Sequence, residues 1–163
     1  MERVKKSVAA HIIIGVVSAV VLTVSFVLLV NPLLTMLGTT SDTFEYASRY
    51  LTIIYLGIPA TMLYNLTASL LRSVGDSKTP LYLVLFSSVM NVGLDLLFII
   101  VFRWDVSGAA IATVISQLVS AVLCCVYIFF KVKMLLPNRN SFKNLTSTVR
   151  DELKVGVPMG LQN

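Results

Sequence analysis

Charge is scarce in this chain. Lys, Arg, Asp and Glu make up 13% of its 163 residues, against roughly 25% in soluble domains. Hydrophobic residues reach 56% and the mean hydropathy is +0.86, so a water-soluble domain of this size has no interior able to hide them. Polar–apolar alternation over about 10 residues, the mark of barrel strands in a membrane, is missing because the apolar runs are long and unbroken. Histidine occurs once, as His11, with no partner at metal-ligand spacing. Cysteine occurs twice, as the neighbours Cys124 and Cys125. Helical neighbours point about 100° apart, which argues against a mutual disulfide. A nucleotide-binding loop, a zinc motif, a nucleophile elbow and paired carboxylates are all absent. These gaps exclude the common enzyme classes, and no cofactor is expected. A cleavable leader is not expected either: the run after Glu2–Lys6 is too long for an h-region and lacks a small-residue cleavage site.

What remains is a set of apolar segments long enough to span about 30 Å of hydrocarbon, which takes about 20 residues. They run from about Val8 to Val30, Tyr50 to Leu71, Leu81 to Phe102 and Gly108 to Phe130. The first stops at Asn31-Pro32, and the second carries Pro59, which predicts a kink. The expected fold class is all-α, a polytopic membrane helix bundle. The expected organisation is a partial transmembrane lobe over 1–134 and a polar loop over 135–154. A fifth span then starts at 155–163. Within the loop, Leu145, Val149 and Leu153 recur at four-residue spacing, as on a helix lying along a membrane surface.

The +5 net charge does not point to nucleic acid, because its basic residues sit between apolar runs. All of the 13 Lys and Arg except Arg49 and Arg103 fall before span one, between spans two and three, or after span four. That asymmetry places the N-terminus and the long loop on the cytoplasmic side of the cytoplasmic (inner) membrane. Two glycosylation sequons, at Asn65 and Asn144, then fall in the membrane and in the cytoplasm, and read as chance matches.

One carboxylate interrupts the third span. Asp95 lies in LYLVLFSSVMNVGLDLLFIIVF, and a charge near the middle of such a helix costs about 2.5–3.5 kcal/mol. Asn91 stands one turn earlier on the same face, and Ser87 or Ser88 one turn before that. Span four has its own polar stripe of Thr113, Ser116, Gln117 and Ser120, and span two offers Tyr55, Asn65 and Thr67 around Pro59. Facing stripes would line a wet cavity with one ionisable group. Such a group exchanges a proton for Na⁺ or a cationic substrate, with amide and hydroxyl oxygens completing the shell. The competing reading for the hydroxyls and Gln117 is interhelical hydrogen bonding, worth about 0.6 kcal/mol each.

The run YLGIPATMLYNLTASLLRSVGDSKTPLYLVLFSSVMNVGLDLLFIIVF, followed by VSGAAIATVISQ and ending in KVGVPMGLQ, resembles the multidrug and toxic-compound extrusion (MATE) family. The resemblance implies a twelve-helix, two-lobe antiporter that expels cationic or aromatic compounds in exchange for Na⁺ or H⁺. This chain would supply helices three to six and the start of helix seven. Its partners would be the lipid bilayer, those substrates and the rest of its own full-length chain. The resemblance carries the fifth-helix acid–amide pair to Asp95 and Asn91, the sixth-helix threonine to Thr113, and a fourth-helix amide less securely to Asn65. Tyr55, Pro59, Gln117 and Ser88 are the candidate substrate-cavity residues. An acidic residue that the family carries on its first helix has no counterpart. The expectation is therefore a transporter fragment without transport activity of its own.

Two alternatives compete. A lipid-linked oligosaccharide flippase would carry cations inside its spans to meet a diphosphate, and the predicted span interiors hold no Lys or Arg. A self-contained four-helix membrane subunit or dimeric exporter is at odds with the short apolar segment at 155–163.

Overall fold

Every long apolar segment is helical in the computed structural model, which describes residues 2–132 and Val149. Helix α1 (Glu2–Met36) is followed by α2 (Ser41–Leu56), α3 (Ile58–Ser73), α4 (Lys78–Leu96) and α5 (Asp105–Lys131). A π-helical turn, Leu97–Val101, extends α4. α2 and α3 form one spanning unit, Ser41–Ser73, so among the described residues four units are long and apolar enough to cross a membrane. The predicted loop at 135–154 and the segment at 155–163 lie outside the described residues, except for Val149.

Two boundaries differ from the sequence expectation. Asn31-Pro32 does not end the first helix, which continues to Met36. Proline removes one N–H but does not prevent the turns that follow it. Here the Asn31 carbonyl still accepts the Thr35 hydroxyl at 2.9 Å, and the helix stops at Gly38, with φ of 66°. The second span begins at Ser41, before Tyr50, so Arg49 lies inside a helix. Its guanidinium pairs with Glu45 at 2.7 Å, one turn away, which is how a helix near the membrane end tolerates the charge.

The interruption in that span sits at Gly57, two residues before Pro59. Pro59 occupies the first turn of α3, where a missing N–H is harmless. Gly57 serves close packing: a Cβ there would lie 2.6 Å from Val114 Cγ2 on α5 and 3.0 Å from the Ile54 carbonyl.

α5 is the hub, packing against α2, α3 and α4, while α1 packs on α2 and α3. Apolar side chains gain little by leaving lipid for protein, so close backbone approach through small residues dominates the seams. The residues buried at these seams include Ala60, Ala68, Ala110, Ala112, Ala121, Ser116 and Ser120. Large side chains such as Val16, Leu28, Val89 and Phe130 point outward and are more than half exposed.

The turn between α3 and α4 is built by its own residues. Gly75 adopts φ of 88°, the left-handed conformation that ends α3. Asp76 then caps α4, accepting the Thr79 amide at 3.0 Å and the Thr79 hydroxyl at 2.7 Å. Those bonds, the hydroxyl's first, hold the Asp76 carboxyl below its usual range. Pro80 is buried in the first turn, and its carbonyl accepts the Tyr64 hydroxyl at 3.0 Å.

Candidate functional site

The seam between α4 and α5 carries the polar side chains in register. Ser120 Oγ donates to the Leu83 carbonyl at 3.2 Å. One turn along, Ser87 Oγ donates to the Ser116 carbonyl at 2.6 Å. One turn further, Asn91 Nδ2 donates to Thr113 Oγ1 at 3.4 Å, and Thr113 in turn donates to the Ala109 carbonyl at 2.9 Å. The antiparallel register then sets Asp95 opposite Gly108 and Ala109, at the next turn of the same face. The absence of bulk there lets α4 and α5 approach: a Cβ on Gly108 would sit 3.0 Å from Phe98 Cβ.

Asp95 is half-buried, and its Oδ1 is sealed from solvent with no hydrogen-bond partner among the described residues. A buried polar atom without a partner costs about 1–3 kcal/mol, more if it is charged. The atom thus lacks a donor or cation among the described residues. Asn91 and Thr113 offer oxygens one turn away, and their mutual hydrogen bond is long enough to yield to a better partner.

The next turn after Asp95 is π-helical, with the Phe102 amide reaching back five residues to the Leu97 carbonyl at 3.1 Å. Such insertions cluster at functional positions. Phe98, Phe102 and Trp104 close this end, with ring centroids 5.1 to 6.0 Å apart. The chain turns there through Arg103 and Asp105, at φ of 55° and 47°. Sequence reasoning did not find the π turn or the aromatic plug. The clustering of Phe98, Phe102 and Trp104 before Gly108 is a sequence signal for the plug alone.

The remaining sequence candidates scatter. Gln117 is half-buried on α5, one turn after Thr113 and on the same face. Ser88 is exposed and bonds back to its own helix at the Val84 carbonyl, 2.9 Å away, leaving Ser87 as the seam residue. Tyr55 stacks on Phe26 at 5.1 Å, between α2 and α1. Pro59 is exposed and lines an apolar groove among α1, α3 and α5. Asn65 is exposed on α3, whose buried face is Thr67, Ala68 and Leu71. The structure thus brings Asn91 and Thr113 together, with Asp95 and Gln117 one turn to either side. It does not bring Asn65, Tyr55, Pro59 or Ser88 to them. Among the described residues, no group of three His, Cys, Asp or Glu is placed to hold a metal ion.

Comparison with known proteins bears on this arrangement. Residues 1–97 match the family model described as MatE. Over 133 residues the chain is 36% identical to the probable multidrug resistance protein YpnP of Bacillus subtilis (strain 168), covering 80% of this chain and 29% of that protein. It is also 36% identical over 129 residues to Protein DETOXIFICATION 43 of Arabidopsis thaliana, covering 78% of this chain and 24% of that one. A solved MOP superfamily transporter from Pyrococcus furiosus Vc1 (DSM3638) shares the fold, with a TM-score of 0.84 at 24% identity over 98% of this chain. That protein is described as having a binding pocket of reverse polarity that suggests a different function. The chain spans 29%, 24% and 36% of these three proteins' lengths, in that order.

Proposed function

Because the chain belongs to the MatE family, we propose that it forms part of a cation-coupled antiporter that expels drugs or organic cations across the cytoplasmic membrane. The supporting observation is the sealed, partnerless Oδ1 of Asp95 beside the Asn91–Thr113 pair. Asp95 binds the coupling ion, H⁺ or Na⁺, and Asn91 and Thr113 turn their oxygens towards it. Loading the ion neutralises the carboxylate and removes the cost of its burial. Releasing it restores a negative charge that attracts a cationic substrate. Ion and drug then compete for one charge, which is the condition for exchange. Gln117, on the Thr113 face of α5, extends the same polar surface. The basic end of the bundle is the cytoplasmic one.

The alternative of an anionic cargo needs cations within the spans. The other described cations in the helices lie towards the helix ends; Arg49 lies in the middle of α2, where Glu45 neutralises it. The arrangement therefore favours positively charged cargo.

The test is made on the full-length transporter that contains these residues. Asp95→Asn keeps the shape and removes the titratable charge. Its expected result is loss of ion-coupled drug efflux in everted vesicles, at unchanged membrane abundance. Wild-type efflux that still dissipates the ion gradient would remove Asp95 from the mechanism.

A further inference from the structure

We infer that the apolar groove between α1, α3 and α5 holds one acyl chain of an anionic phospholipid, whose phosphate sits against Lys5 and Lys131. The inference needs only that the helices are embedded in a bilayer, not that the protein transports anything.

The groove has a volume of about 390 Å³ and follows α1 from Val8 to Val20. At 1.5 Å per residue that is a length of about 18 Å. Volume over length gives a mean cross-section of about 22 Å². A helix with its side chains is about 10–12 Å across and needs roughly 80 Å² or more. Within its walls the groove is nearer the width of a single hydrocarbon chain than that of a helix. Gly15 and Ala19 make the room, and Val16 and Val20, 58% and 56% exposed, leave it open to the side.

Its chemistry points the same way. The hydroxyl within its walls, Thr67 Oγ1, donates to the Leu63 and Tyr64 carbonyls at 2.8 and 2.9 Å, so it is already engaged. A drug cation or a sugar would find no polar partner there. Cations gather at one mouth. Lys5 stands one turn before Val8 on α1, Lys131 one turn after Ile128 on α5, and Arg72 lies in the last turn of α3. The acid nearest that end among the described side chains, Asp76, is occupied by Thr79. The ion pair found among the described residues, Arg49–Glu45, is at the opposite end. An apolar slot topped by basic side chains that pair with no acid among the described residues matches a lipid with a negative headgroup, since basic pockets between membrane helices favour such headgroups.

The experiment places a benzoylphenylalanine photocrosslinker at Val16 of the full-length protein, reconstituted in mixed phosphatidylglycerol and phosphatidylcholine vesicles. Mass spectrometry then reads the adducts. The expected product is a phospholipid adduct enriched in phosphatidylglycerol by roughly fivefold or more, as one surface cation alone would give. Lys5→Gln with Lys131→Gln should equalise the two lipids, and Ala19→Phe should remove both adducts by filling the slot. A crosslink to another segment of the protein or to a second copy would overturn the inference. So would a phosphatidylglycerol preference that survives the double Gln variant. None of these readouts depends on drug efflux, so they fail or succeed independently of the antiport reading.

Discussion

Thr113 separates structure from coupling at the scale of a single side chain. Its hydrogen bond to Asn91 is long, at 3.4 Å, and interhelical bonds in membranes average about 0.6 kcal/mol. Thr113→Val should therefore cost under about 1 kcal/mol in thermal stability, while shifting the ion concentration for half-maximal efflux severalfold. A large stability loss with an unchanged ion titration would mark the residue as packing alone. Asp76 makes a different case, outside the spans. Its folded pKa lies below the ordinary 3.8 because Thr79's hydroxyl and amide bind the carboxylate. Its contribution is therefore complete above pH 3.8 and fades as pH falls through the lower folded value. Asp76→Ala should speed hydrogen exchange at the Thr79 amide at neutral pH and erase that acid-dependent step, and unchanged exchange would contradict the cap. Residue-scale reading of the sequence reached Asp95, Asn91 and Thr113, because a carboxylate within an apolar run is conspicuous. It left Ser87 and Ser88 unresolved, because neighbours 100° apart both fit a stripe with three- or four-residue steps.

Elements were legible in kind and less so in extent. Long apolar runs named the helices, but Ser41–Arg49 carries Asp42, Glu45 and Arg49 and so looked like loop until the helix pairing of Glu45 with Arg49 accounted for it. Pro59 drew attention to a kink, whereas the break lies at Gly57, where backbone proximity to α5 decides the matter. The π turn after Asp95 had no sequence marker, since Leu97–Val101 is as apolar as any α-helical stretch. Gly57 yields the sharpest test at this scale. Gly57→Ala should destabilise the protein by about 1–3 kcal/mol through overpacking against Val114. Val114→Ala should recover part of that loss in the double variant, as seen by thermal unfolding in detergent. Additive losses would mean that the two residues are not in contact.

The whole bundle alternates direction, so the start of α1, the α3–α4 turn and the end of α5 share one end, with Lys5, Lys6, Arg72, Lys78 and Lys131. Val149 packs against Ala9 and Ala10 at that same end. A basic end of this kind should face the cytoplasm. With Cys124 and Cys125 replaced by alanine, Ser77→Cys should react with an impermeant thiol reagent only from the cytoplasmic side and Ser41→Cys only from outside. The reverse pattern would invert the topology. Sequence periodicity set out the four spanning units but not their neighbours: that α5 is central followed from the placement of its small residues on several faces, which becomes evident only once partners are assigned. The claim on which the functional account depends is that Asp95 exchanges its own proton or cation with the medium. Ion-induced infrared difference spectra of the full-length protein in lipid test it most directly. The predicted result is a carboxyl-stretch change that disappears in Asp95→Asn. An identical difference spectrum in wild type and variant would contradict it.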